Sequence, residues 1–104
     1  MNAWVVLVLA GLMEIGWATG MKYTHGFTRL WPTAAVLVLM AASVVLLAQA
    51  VKTLPLGTAY AVWTGIGALG VAAAGIALFG EAATPLRLAG IALIVLGIMV
   101  LKLG

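Results

Sequence analysis

Long apolar runs divided by short polar breaks organise this chain. From about Ala3 to Lys22 apolar and small residues follow one another almost without interruption, and Tyr23, Thr24, His25, Gly26, Phe27, Thr28 and Arg29 then form a polar, glycine-containing connection. Trp31-Pro32 reads as a helix start, and the second run extends to Val51. Lys52, Thr53, Leu54, Pro55, Leu56 and Gly57 break the pattern before a third run, from Thr58 to Phe79. Gly80 through Pro85 makes the last turn, and Leu86 to Leu103 is the fourth run, with Arg87 and Lys102 placed to snorkel at its ends. The runs are rich in Ala, Leu and Gly and lack the two-residue alternation of a membrane barrel, so they predict helices. Each approaches the ~20 residues that cross a ~30 Å hydrocarbon layer. The expected fold is all-α integral membrane: one transmembrane domain over residues 1–104, with four helices at about 3–22, 32–51, 58–79 and 86–103. Connections this short force neighbours antiparallel, in up-down-up-down order.

Composition removes the soluble alternative. Of 104 residues, 66% are hydrophobic and only seven are charged, five Lys/Arg and two Asp/Glu, against roughly a quarter charged in soluble domains. Lipid is therefore the expected solvent for most of the surface. The net charge of +3 does not point to nucleic acid, because Lys22, Arg29, Lys52, Arg87 and Lys102 are scattered between apolar runs. Absence of cysteine excludes disulfides and thiolate metal sites, and His25 sits in a loop without a companion ligand. No metal, cofactor or catalytic residue is expected, and the chain is not read as an enzyme. The first run lacks a basic start, carries an acid at position 14 and precedes three more spans, so it reads as a retained helix.

The basic residues bear on orientation. Lys52 and Lys102 fall on the side of the termini, and Lys22, Arg29 and Arg87 on the other, a difference of one residue. So even a balance predicts insertion both ways round, which lets two copies pair antiparallel.

Glu14 is the residue that most needs explaining. It lies eleven positions into the first helix, about 17 Å at ~1.5 Å per residue, near the middle of the hydrocarbon. An ionisable group there is tolerated where it faces a polar cavity, a partner or a transported ion. A carboxyl in such a place can hold a proton or release it to a cation, and mutually exclusive occupancy is the simplest basis for exchanging the two. The bland alternative is a permanently protonated acid making one interhelical hydrogen bond. Two Glu14 side chains in a dimer would titrate as a coupled pair.

Other side chains gather around that reading. Trp17, three residues on, shares Glu14's helical face and offers an indole N–H at a depth unlike that of an interfacial belt. Ser43, the polar side chain near the middle of the second helix, can complete the carboxylate's hydrogen-bond shell or bond its own preceding turn. Tyr60 and Trp63 share a face of the third helix and supply a phenol and an indole to a cation site, unless they are packing aromatics. Gly65 and Gly67 suit close helix contact or a hinge, and the hinge is the expectation adopted. On the fourth helix Gly90, Ile94 and Gly97 form a stripe suited to dimer packing, although it can also contact helices of its own chain.

The run Glu14-Ile15-Gly16-Trp17-Ala18, the loop from Lys22-Tyr23 through Gly26-Phe27-Thr28-Arg29, and the stretch from Lys52-Thr53-Leu54-Pro55 to Trp63-Thr64-Gly65-Ile66-Gly67-Ala68 together resemble the small multidrug resistance family. The likeness covers essentially the whole chain. Trp17 and Gly57-Thr58-Ala59-Tyr60 resemble its guanidinium-exporting branch. The resemblance implies an antiparallel, dual-topology homodimer in a bacterial inner membrane, exchanging guanidinium or a similar small cation for protons by alternating access. It further implies that both Glu14 carboxylates share one central site, that Trp17 and Ser43 donate hydrogen bonds to them, and that Tyr60 and Trp63 form an aromatic wall. The third helix would bend at Gly65 and Gly67, and the fourth would hold the dimer. The competing readings are a quaternary ammonium or polyaromatic cation exporter of the same family, and a membrane interaction protein that transports nothing.

Overall fold

The computed structural model describes residues 2–104, and among them there is helix and no strand. Four helices run Ala3–Gly20 (α1), Leu30–Ala50 (α2), Leu56–Phe79 (α3) and Pro85–Leu103 (α4), with a short 3-10 turn at Met21–Thr24. All four are long and apolar enough to cross a membrane. A helix is the natural state of such runs, because it satisfies every interior backbone group within the segment.

The helix ends differ from the expected ones for local reasons. Asn2 caps α1 by accepting the N–H of Trp4 at 2.8 Å, and α1 gives way after Gly20 to the tighter turn where the expected helix continued to Lys22. In that turn the buried Thr24 hydroxyl donates to Met21 O at 2.8 Å and accepts Phe27 N–H at 3.1 Å. α2 starts two residues early, which puts Pro32 inside its first turn, where a missing N–H costs no helical bond. Pro55 caps α3 and Thr84 caps α4, the latter accepting Arg87 N–H at 3.2 Å. Gly80 ends α3 at φ 66°, a left-handed conformation that favours glycine.

α1 lies between α2 and α3 and packs along both, whereas α2 and α3 meet only briefly. α4 packs on α3 alone and has no buried residue. Only its tip reaches further, where the Lys102 ammonium lies 5.4 Å from the Trp4 ring centroid. At the opposite end Lys22 lies over Phe79 at 5.3 Å and Arg87 pairs with Glu81 at 3.8 Å. The result is a slab 40 × 34 × 18 Å: three helices share a core, and the fourth stands at its edge.

Candidate functional site

Three buried stripes converge at mid-depth. On α1, Leu7, Ala10, Gly11 and Glu14 are buried at helical spacing, which carries the acid into the core side of its helix. α2 contributes Val36, Ser43 and Ala50, seven residues apart, and α3 contributes Ala59, Val62, Trp63, Gly67 and Gly75. Glu14 is 9% exposed, Ser43 is fully buried and Trp63 is 7% exposed.

A hydrogen-bond chain ties the three helices. Trp63 Nε1 donates to Ser43 Oγ at 3.0 Å, and Ser43 Oγ donates to the Ala10 carbonyl at 2.7 Å, one helical turn before Glu14. A serine hydroxyl has one proton to give, and here it goes to Ala10. The bond expected from Ser43 to Glu14 is therefore not formed in this single chain. Nor is the one from Trp17: the buried Glu14 Oε1 and Trp17 Nε1 both lack a hydrogen-bond partner. An acceptor without a donor and a donor without an acceptor thus sit three residues apart on α1. Buried polar atoms in that state are costly, so the arrangement suits a ligand or a second chain that completes it.

The aromatic pair divides. Tyr60 and Trp63 rings tilt against each other at 5.6 Å, but Tyr60 is 53% exposed on the outside of the chain while Trp63 is held inside by Ser43. Trp63 therefore presents its ring, with its N–H already committed.

Glycines set how closely α1 and α3 approach. A Cβ on Gly67 would overlap the Glu14 carboxylate, one on Gly70 would overlap Ile15, and one on Gly11 would come within 2.7 Å of Ile66. Gly65 receives α4 in the same way, with Ile98 Cδ1 at 2.8 Å from such a Cβ. α3 runs as one continuous helix through both Gly65 and Gly67, and in this state the pair gives room for neighbours. On α4 the expected stripe splits: Ile94 leans toward Gly65, whereas Gly90 and Gly97 are open, with nothing within 4 Å of an added Cβ.

Sequence reasoning missed Ala10, whose role lies in a backbone carbonyl and leaves no trace in residue type. It also treated Glu81 as part of a turn. The signal available was that Glu81 is the second of only two acids, and that Gly75, on which its side chain rests, follows Gly67 by two helical turns.

A family model described as Small Multidrug Resistance protein matches residues 2–94. The guanidinium exporter of Escherichia coli (strain K12) is 61% identical over 102 residues, covering 98% of this chain and 97% of that protein. The guanidinium exporters of Citrobacter freundii and Salmonella typhimurium are each 57% identical over 102 residues, with the same coverage.

Proposed function

The chain belongs to the small multidrug resistance family, and from that premise we propose that it exports guanidinium across the bacterial inner membrane in exchange for protons. The observation that carries the reading is Glu14: buried in the α1–α3 seam with Oε1 unpartnered, as is the indole N–H of Trp17 three residues on. Guanidinium is planar and rich in N–H donors, which suits two-point pairing with a carboxylate. A quaternary ammonium ion offers no N–H to that oxygen.

In this mechanism Glu14 is either protonated or bound to the cation, so loading one ligand expels the other. Two chains pair antiparallel and bring both Glu14 carboxylates to one site. Trp17 narrows that site, and its N–H, idle in the single chain, donates to a carboxylate there. Ser43 rotates from Ala10 O toward Glu14 while Trp63 keeps hold of its oxygen, and Tyr60 closes the aromatic wall. α3 bends at Gly65 and Gly67 as access alternates, and Gly90, Ile94 and Gly97 hold the dimer.

Proteoliposomes under a proton gradient test the reading. Guanidinium flux coupled to proton movement is the expected result. Movement of quaternary ammonium ions alone would assign the other branch of the family, and movement of neither would leave a membrane interaction protein. Trp17→Gly is expected to weaken guanidinium transport and admit larger cations; unchanged selectivity would reduce Trp17 to packing.

A further inference from the structure

Resting on the reading of guanidinium export, we infer that Glu81 is an outer station for the same cation, at the mouth of a cavity leading along α1 and α3 toward Glu14. The chain has only two acids, and α3 seats both of them on glycine. Glu14 rests on Gly67, and Glu81 folds back onto Gly75, where an added Cβ would overlap its carboxylate. The two notches are eight residues apart, ~12 Å along the helix. The seat of Glu81 is built: Gly80 turns the chain at φ 66°, and the Glu81 N–H then donates to Gly75 O at 3.1 Å.

Beside Glu81 opens a cavity of about 610 Å³ between the last turns of α1 and the C-terminal half of α3. Lys22 and Phe79 line it near the helix ends, and Ala18 and Ala68 line it at depth. Ala18 is one turn beyond Glu14, and Ala68 adjoins Gly67. Between the two levels is Thr19, whose buried hydroxyl oxygen has no partner. A cation entering here meets a carboxylate, then a free hydroxyl, then the seam that holds the second carboxylate.

Arg87 supplies the chemical argument. Its guanidinium nitrogen lies 3.8 Å from Glu81 Oε1, and both side chains are about half exposed, at 55% and 47%. A long pair in that setting is weakly held. The head group now on Glu81 is itself a guanidinium, so a free guanidinium ion can replace it with a shorter, two-point contact. Lys22 does not compete for the same oxygen, since its ammonium lies over the Phe79 ring. With Lys22 and Arg87 both at the mouth, positive charge keeps the station weak, as passage requires: an ion must bind well enough to enter and loosely enough to leave.

The test is the concentration dependence of guanidinium flux in proteoliposomes. Glu81→Gln is expected to raise the half-saturating concentration about fivefold, while the rate at saturation is kept. Arg87→Gln is expected to lower it, because the internal competitor is gone. This opposite pair of shifts is something a merely structural salt bridge would not produce, since losing either partner would then act in the same direction. Unchanged half-saturation in Glu81→Gln with normal transport would overturn the outer station alone, as would a matching rise in both variants. Absence of guanidinium flux in the unsubstituted protein would overturn the station together with the function it rests on. Should Glu81→Gln fail to assemble, Arg87→Gln decides: a lowered value supports the station, and an unchanged or raised one overturns it.

Discussion

α3 and α4 are both apolar spans with glycines along them, and their glycines meet opposite fates. In α3, Gly65 receives Ile98, Gly67 receives Glu14, Gly70 receives Ile15 and Gly75 receives Glu81. In α4, Gly90 and Gly97 receive nothing, and no residue of that helix is buried. A glycine in a membrane helix announces a close approach without naming what approaches. On α3 the chain answers from within, and two of its answers are the chain's only acids. On α4 the same device is left facing outward, which is what a contact with a second copy requires.

The contrast breaks first at the carboxylate. Glu14→Gln keeps the shape seated on Gly67 and loses the titratable charge, so proton-coupled flux is expected to disappear, a loss of at least about 100-fold, while the dimer still assembles. Flux measured in proteoliposomes, beside crosslinking for assembly, separates the two readouts. Full transport by this variant would remove Glu14 from the mechanism and leave the α1–α3 seam as packing.

Next comes the notch itself. Gly67→Ala places a methyl where the carboxylate lies, and is expected to destabilise the chain by about 1–3 kcal/mol and to slow transport. Gly70→Ala meets Ile15 instead, so it should lose similar stability with a smaller loss of transport. Unfolding titrations in detergent together with flux check the pair; equal flux losses would mean that the position of Glu14 is not what Gly67 protects.

A smaller effect is expected at the chain joining the three packed helices. Ser43→Ala leaves Trp63 Nε1 without its acceptor and takes from the Ala10 carbonyl the side-chain donor it has beyond its helical one. The cost should be about 1–3 kcal/mol, toward the lower end if water enters. Trp63 fluorescence, isolated by replacing the other tryptophans, should shift as the indole loosens. No change in either stability or emission would show that the bonds are incidental to the packing.

Much of this was open to sequence reasoning, for physical reasons. Continuous apolar runs leave few alternatives to membrane helices, and Glu14 stands out because a carboxylate inside such a run is costly. The pairings were not legible. Which glycine of α3 takes which side chain depends on how α1 and α3 are rotated about their axes, and hydropathy does not encode that rotation when nearly every face is apolar. Ser43 illustrates the point: its type and depth suggested a partner for Glu14, but the proton goes to a backbone carbonyl one turn away. The place of α4 was legible only in part: its stripe of Gly90, Ile94 and Gly97 suggested contact with a second copy, but its hydropathy did not say that Ile94 turns to Gly65 while the two glycines stay open.

The smallest expected effect bears on that outer helix and separates its two possible uses. Gly97→Ala adds a methyl to open space, so the single chain should keep its stability within about 0.5 kcal/mol. A second copy packed against that surface would feel it differently, because a methyl at a close backbone contact pushes the helices apart. Dilution of fluorescently labelled protein in bilayers reads the assembly directly, and Gly97→Ala should dissociate at higher protein density than the unsubstituted chain while unfolding at the same detergent fraction. Unchanged assembly would mean that Gly97 faces lipid and that α4 pairs, if it pairs, through another face.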